Sequence, residues 1–285
     1  MERHVKLTNG KKLRIRERGE GEHVVILVHG LTGSHKQMAY YQDSLASNHR
    51  VISYDLRGRG LSDEADQPTS IDHHVGDLID LLMTLNLNKV TLVGYSIGGY
   101  ICAKVTALSS RVRSLILLDG AGVADYGQKD LILPPLQRLE KAYQSKVDYI
   151  NFTKRAYAKL NINWSRQLEE IARYETEVID EKVVRHRSKA EVMEQDFNSF
   201  FEFHHEEVLP HITVPVLLVK ATGHMGAGRP LYFNESFAEL DKVVPRINVL
   251  MTNANHFSLV FEEQKDVLNT IDRFLTSVKE DPSEV

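Results

Sequence analysis

A serine between two glycines is the first feature of this sequence that points to chemistry. Residues 94–98 read Gly-Tyr-Ser-Ile-Gly, and they separate an apolar run at residues 90–93 from a segment compatible with a helix at residues 100–108. This order places Ser96 where a strand turns sharply into a helix, with its hydroxyl held clear of the backbone. The glycines suit so tight a turn because they lack Cβ atoms. The motif predicts that Ser96 is a nucleophile.

His256 is our candidate for the base that such a serine needs. A serine hydroxyl is a poor nucleophile unless a neighbouring group takes its proton, and histidine commonly does so. Among the 13 histidines, only His256 lies in a loop just after the last apolar run, at residues 246–251. The alternative is that His256 caps a helix that begins near Phe257. With Ser96 present, we favour His256 as the catalytic base.

Strand and helix patterns alternate through the first part of the chain. Asn9 and Gly10 join two short segments in a way that favours a hairpin. Helical spacing of apolar residues is clearest between residues 71 and 85. Four segments rich in apolar residues have the character of buried strands, at residues 23–28, 50–54, 90–95 and 111–118. The alternation predicts a mostly parallel sheet with helices on both faces.

The alternation stops between residues 122 and 210, where helical periodicity takes over. We therefore predict an all-helical cap inserted after the sixth strand. The strand pattern resumes at residues 214–219 and is followed by the run at 246–251 and a closing helix. The predicted domains are a core formed by residues 1–121 and 211–278, a cap at 122–210 and a disordered tail at 279–285.

The composition of the chain limits the kinds of molecule that it is expected to bind. The 285 residues have a formal net charge of -4, so the chain offers no basic field for nucleic acid or an anionic membrane surface. We expect a small-molecule substrate. A single cysteine, Cys102, excludes an internal disulfide. The first residues lack the apolar core of a signal peptide and no stretch approaches the length of a membrane span, which favours the cytoplasm.

Two histidine pairs invite a metal hypothesis that the spacing does not favour. His73 and His74 are adjacent, as are His204 and His205. Adjacent residues on a helix point in different directions, and no third ligand is spaced to join either pair. We therefore expect neither a metal nor a cofactor.

Four motifs in this order resemble the α/β-hydrolase family, in the form that carries a helical cap. They are His-Gly at residues 29–30, the glycine-containing loop at 55–63, Gly-x-Ser-x-Gly at 94–98 and Asn-His-Phe at 255–257. The resemblance implies the α/β-hydrolase fold, a mostly parallel sheet flanked by helices, for nearly everything from residue 24 to 278. Open α/β sheets bind ligands at the carboxyl ends of their strands, where all four motifs lie.

Attack by Ser96 would create an oxyanion, which requires two fixed N–H donors. The backbone of Ile97, at the start of the helix after the motif, is one candidate donor. The resemblance implies that the backbone of Leu31, after His29 and Gly30, is the other. We expect His29 itself to bond within its loop rather than to carry a proton.

The carboxylate that orients the histidine is the open assignment. Most members of the family supply it after the seventh strand, but no Asp or Glu occurs between residues 208 and 233. Some relatives use a carboxylate at the end of the sixth strand, where Asp119 stands here. Asp119 could instead cap the segment after that strand, and Asp125 and Glu235 are weaker candidates. We select Asp119, because a rigid, buried carboxylate can hold the imidazole in one tautomer.

Together these residues predict a serine hydrolase of the carboxylesterase or lactonase type, which cleaves a small ester or lactone without a cofactor. Cleavage of a carbon–carbon bond beside a ketone and cofactor-free perhydrolysis use the same constellation and remain alternatives. A non-catalytic ligand receptor on this fold is a third, kept open by the missing carboxylate after the seventh strand. Aromatic residues of the insertion, including Trp164, Phe152 and Tyr157, are expected to form the cap's own core, with part of the cluster facing the site.

Overall fold

The computed structural model describes residues 1–180, 183–225 and 228–279. Its strands are β1 Glu2–Lys6, β2 Lys12–Arg18, β3 Val24–Val28, β4 Arg50–Tyr54, β5 Val90–Tyr95, β6 Val112–Leu118, β7 Thr176–Asp180, β8 Val183–His186, β9 Val216–Gly223 and β10 Ile247–Asn255. The helices are α1 Ala39–Leu45, α2 Ile71–Thr84, α3 Ile97–Leu108, α4 Lys129–Leu136, α5 Lys146–Ala158, α6 Arg166–Tyr174, α7 Ala190–Asn198, α8 His205–Val208, α9 Ala238–Val243, α10 Ser258–Phe261 and α11 Lys265–Lys279.

Eight strands form one sheet in the order β1-β2-β4-β3-β5-β6-β9-β10. The hairpin β1–β2 pairs antiparallel with the edge of β4, and the remaining neighbours pair in parallel. The α/β-hydrolase fold and the mostly parallel sheet predicted from the sequence are therefore confirmed. All the parallel strands end at the same edge of the sheet, which is where ligands bind in folds of this kind.

Helices cover both faces of the sheet, as the apolar strands require. Every residue of β3 and β5 is buried. Because successive side chains of a strand point to opposite faces, Ile26 and Leu92 pack with α2 and α3, whereas Leu27 and Val93 pack with α1 and α11. Two apolar layers thus hold the strand ends rigidly in place.

The segment between β6 and β9 contains helices α4 to α8, and it also contains β-structure. The prediction of an all-helical insertion was wrong on this point. Strands β7 and β8 form an antiparallel pair, and an isolated bridge joins Tyr143 to Val184. These strands have only five and four residues. Their β-branched residues Val178, Ile179 and Val183 stand among charged residues, so they do not form an apolar run long enough to indicate a strand.

The carboxyl-terminal helix is longer than the sequence pattern indicated. Helix α11 extends to Lys279, so the prediction that this residue belongs to the disordered tail is wrong. The rest of that predicted tail, residues 280–285, lies outside the described residues. Among the helices of the described ranges, none combines the length and the apolar character needed to cross a membrane.

Candidate active site

Ser96 occupies the turn between β5 and α3 in a conformation that few residues adopt. Its backbone has φ 54° and ψ -121°, a strained geometry that persists only where the surrounding structure imposes it. Two glycines make the turn possible. A Cβ at Gly94 would lie 2.2 Å from the carbonyl oxygen of Gly98, and one at Gly98 would lie 2.3 Å from that of Val28. The close approach of these backbones explains the spacing of the motif.

His256 directly follows β10 and lies beside Ser96. Strand β10 ends at Asn255 and is therefore longer than predicted. The Nε2 atom of His256 is 3.2 Å from the Ser96 Oγ, which is within hydrogen-bond range. Both side chains are nearly inaccessible, with exposed fractions of 4% for His256 and 7% for Ser96. The two residues are 160 positions apart in the sequence, so it is the fold of the sheet that brings them together.

Asp119 is the carboxylate that reaches His256. Its Oδ2 lies 2.7 Å from the Nδ1 of His256, and its Oδ1 accepts a hydrogen bond of 3.1 Å from the backbone N–H of Ala221. Asp119 is fully buried at the end of β6 and has φ 47°. An Nδ1–H that donates to Asp119 leaves Nε2 as an acceptor for the hydroxyl of Ser96.

The two alternative carboxylates do not reach this histidine. Asp125 is partly exposed and lies 3.8 Å from the Nη2 of Arg229. Glu235 is exposed beside the turn that precedes α9. The structure thus places only Asp119, of the three residues considered from the sequence, against His256.

The two candidate oxyanion donors, Leu31 and Ile97, belong to different segments of the chain. Ile97 is the first residue of α3, so its N–H has no acceptor within the helix. Leu31 lines the same cavity as Ser96. The loop that carries Leu31 is fixed, because the N–H of Gly30 donates to the Oε1 of Gln37 over 2.8 Å.

His29 supports that loop from behind. Its Nδ1–H donates to the carbonyl oxygen of Gly30 over 2.7 Å, and its Nε2 accepts from the N–H of Leu56 over 3.0 Å. Complete burial lowers the pKa of His29 to about 3, so the ring is neutral and uses both nitrogens in these bonds. Its role is to hold the loop, as expected from the sequence.

Other residues near the site were not recognised from the sequence. Tyr95 stacks on the His256 ring, although it occupies a variable position of the glycine–serine motif. Asn255 accepts hydrogen bonds from the N–H groups of Phe257 and Ser258, at 3.0 and 2.8 Å, and so shapes the turn that carries His256. Their signal in the sequence is membership of the motifs at residues 94–98 and 255–257, which assigned neither residue a role.

A cavity of about 880 Å³ adjoins the serine and the histidine. Most of its wall is supplied by the insertion and is apolar. Phe152, Tyr157 and Phe200 line it, whereas Phe197 is buried away from the cavity and Trp164 packs beside Tyr157. The aromatic cluster predicted for the cap therefore contributes both to internal packing and to the cavity wall.

The paired histidines serve structural contacts. His74 Nε2 lies 2.9 Å from the Asp196 Oδ2, and the Nε2–H of His205 donates to the carbonyl oxygen of Ala121 over 3.0 Å. Within residues 1–180, 183–225 and 228–279, no three His, Cys, Asp or Glu side chains converge in a way that could hold a metal ion.

The sheet topology and the buried serine, histidine and aspartate at its carboxyl edge define an α/β hydrolase. The family model for the alpha/beta hydrolase fold matches residues 23–197. The chain therefore belongs to the α/β hydrolase fold family.

Individual relatives match parts of the chain. Esterase YbfF of Escherichia coli is 36% identical over 103 residues, which are 36% of this chain and 40% of that protein. The (E)-2-((N-methylformamido)methylene)succinate hydrolase of Acinetobacter baylyi is 30% identical over 146 residues, 50% of this chain and 54% of the relative. The chain thus spans about half the length, or less, of these curated relatives.

Solved structures extend the likeness of the fold to the whole chain. The crystal structure of E-2-(acetamidomethylene)succinate hydrolase superposes with a TM-score of 0.84 at 19% identity, covering 97% of this chain and 99% of that one. At this identity the similarity shows the fold, and the chemistry has to be argued from the residues.

Proposed function

We propose that this protein is a serine hydrolase that cleaves a small carboxylic ester or lactone through an acyl-enzyme. The observation that carries the proposal is the continuous chain of contacts from the Ser96 Oγ through the His256 ring to the Asp119 carboxylate. The esterase and hydrolase names of the relatives and of the structural neighbour point to the same general reaction.

In the first half-reaction, the Ser96 Oγ attacks the substrate carbonyl carbon while the Nε2 of His256 takes the hydroxyl proton. The carbonyl oxygen becomes an oxyanion, which the N–H groups of Leu31 and Ile97 stabilise. Asp119 stabilises the imidazolium and fixes its orientation. The tetrahedral intermediate collapses, the bond to the leaving oxygen breaks, and His256 returns the proton to the departing alcohol.

In the second half-reaction, water takes the place of the serine as nucleophile. His256 accepts a proton from that water as its oxygen attacks the acyl-enzyme carbonyl. Collapse releases the carboxylic acid and restores the Ser96 hydroxyl. For a lactone, the alcohol and the acid are parts of one product, and a single water is consumed in either case.

The position of Asp119 supports catalysis over the receptor alternative. That alternative depended on the absence of a carboxylate after the seventh strand of the sheet. A buried carboxylate at the end of β6 contacts the histidine instead, which supports turnover by a serine, histidine and aspartate acting together.

Hydrolysis of p-nitrophenyl acetate and p-nitrophenyl butyrate tests this proposal. We expect steady turnover by the wild type and no turnover above background for Ser96→Ala and His256→Ala. Ser110→Ala, at an exposed serine beyond the end of α3, is the matched control and should retain wild-type rates. Steady turnover that survives Ser96→Ala would refute the nucleophile, and a single burst without turnover would favour the receptor.

A further inference from the structure

The cavity beside Ser96 has a charge opposite to that of the whole chain. The chain carries a formal charge of -4, yet among the described residues that line the cavity, basic side chains outnumber carboxylates. Asp130 is the acidic member of the lining. Four basic side chains line it, all from the insertion: Arg138, Lys141, Arg155 and Lys159.

Arg138 reaches from the insertion to the loop that contains Leu31. Its Nη2 donates to the Oγ1 of Thr32 over 3.3 Å, and Thr32 is the next residue after Leu31. The guanidinium therefore lies on the side of the cavity where the reacting carbonyl oxygen would bind. Arg138 also interacts electrostatically with Glu175 inside the insertion, so its charge is partly balanced there.

Arg155 and Lys159 contribute charge that is not balanced in this way. They are four residues apart at the end of α5, a spacing that places them on one face of the helix. Both side chains are exposed and both line the cavity, so they lie where the cavity meets solvent. Within the described part of the chain, neither forms an ion pair with a carboxylate.

Lys141 is the fourth basic residue of the cavity lining, and it lies over the ring of Phe152. Its Nζ lies 4.9 Å from the centre of the Phe152 ring, and that ring also lines the cavity. Other parts of the cavity wall are aliphatic, including Leu136 and Leu160. The cavity thus combines an apolar wall with basic side chains.

We infer that the substrate carries a carboxylate, separated by a short aliphatic chain from the carbonyl that Ser96 attacks. An ester with one free carboxyl group, or a lactone with a carboxylate substituent, has this form. Arg138 matches the planar, bidentate geometry of a carboxylate, whereas Arg155 and Lys159 attract the anion to the mouth of the cavity. This inference rests on the proposed function and specifies its substrate class.

Two esters that differ by one methyl group, and therefore in charge, test the inference. Mono-p-nitrophenyl glutarate carries a free carboxylate, and its methyl ester, methyl p-nitrophenyl glutarate, is neutral. Release of p-nitrophenol gives kcat/KM for each. We expect the wild type to prefer the anionic ester about tenfold at low salt, with a smaller preference at high salt because ions screen the exposed charges.

Substitutions of the basic residues test which of them cause the preference for the anionic ester. Arg138→Met should reduce the ratio of the two kcat/KM values about tenfold, because hydrogen bonds to a charged group are strong. The Arg155→Met/Lys159→Met double variant should reduce the same ratio about threefold, because exposed charges interact more weakly. Arg138→Lys should restore part of the ratio if Arg138→Met merely disturbs folding. Lys154→Met is the matched control, because Lys154 is an exposed cation of α5 that does not line the cavity.

The outcomes separate the two proposals. A wild-type ratio near one, or a ratio that the Arg138 and Arg155/Lys159 variants leave unchanged, would overturn the inference while hydrolysis of the neutral ester still supports a serine hydrolase. If neither ester is hydrolysed, the proposed function itself fails, and the inference that depends on it fails with it.

Discussion

Tyr95 holds His256 through both its ring and its hydroxyl. The two rings stack with their centres 4.8 Å apart at an interplanar angle of 30°. The Tyr95 hydroxyl also donates to the backbone carbonyl oxygen of His256 over 2.8 Å. Tyr95 directly precedes Ser96, so the strand that presents the serine also fixes the position of the histidine that contacts it.

This relationship predicts that Tyr95→Phe lowers kcat more than it raises KM. The substitution keeps the stacked ring but removes one buried hydrogen bond, worth about 1 kcal/mol, so we expect kcat to fall by about three- to tenfold. Steady-state kinetics on p-nitrophenyl butyrate measure the change. Tyr41→Phe is the matched control, because the buried Tyr41 hydroxyl donates to the carbonyl oxygen of Leu259. If both variants lose the same activity, the effect of Tyr95 is on stability alone.

Asp119→Asn should reduce kcat by a factor on the order of a thousand or more, because an amide no longer selects the tautomer that leaves Nε2 free to accept a proton. Asp125→Asn and Glu235→Gln serve as controls, since neither side chain contacts His256. Initial rates on p-nitrophenyl butyrate compare the three variants. Normal turnover by Asp119→Asn, or a comparable loss in either control, would contradict the assignment of Asp119.

Local patterns in the sequence were sufficient to predict the sheet and the serine turn. Continuous apolar runs such as β3 and β5 reflect burial on both faces, and this burial depends little on which strands are neighbours. The turn at Ser96 follows from the steric needs of Gly94 and Gly98, which are also local. The mostly parallel sheet and the serine turn were predictable for these reasons, whereas the α/β-hydrolase fold itself was implied by the resemblance of the four motifs.

Contacts between distant segments were not predictable in the same way. The sequence favoured Asp119 over Asp125 and Glu235 as the end of a strand, but it did not contain the order β6-β9-β10, which places the end of β6 within reach of His256. The bond between Arg138 and Thr32 spans 106 positions. No periodicity within a single segment encodes such a contact.

Asp196→Asn should strongly destabilise the packing of the insertion on the core. The Asp196 carboxylate, on α7, lies 2.6 Å from the Nη2 of the fully buried Arg59 and also contacts His74 and Thr69. Burial opposes ionisation of Asp196, but the charges and hydrogen bonds of Arg59 and His74 together outweigh it and lower the pKa of the carboxyl. Neutralising it leaves a buried guanidinium without its charged partner, which costs about 3 to 5 kcal/mol.

Urea denaturation measures that loss as a change in the free energy of unfolding. Glu194→Gln, at an exposed carboxylate on the same helix, is the control and should change stability by less than about 0.5 kcal/mol. Equal stability of Asp196→Asn and wild type would show that the Arg59 charge finds another partner.

Protein stability should fall as the pH drops from neutral toward 4, in part because of His29. Its pKa is lowered from 6.5 to about 3 in the folded protein, mainly by burial, with a smaller contribution from the charge of Arg59, while Asp55 opposes the shift. Between these two values the unfolded chain binds the proton and the folded protein does not. Acid therefore favours unfolding, by up to about 1.4 kcal/mol per pH unit for one such group.

Urea denaturation at pH 7, 6 and 5 measures this slope. His29→Gln removes the titrating group, so the variant should be less stable at pH 7 and its stability should depend less steeply on pH. The same substitution at exposed His211 should leave the wild-type slope, because that side chain remains in solvent in both states. An unchanged slope in His29→Gln would mean that other groups account for the acid sensitivity, and that His29 accepts a proton without loss of the loop that holds Leu31.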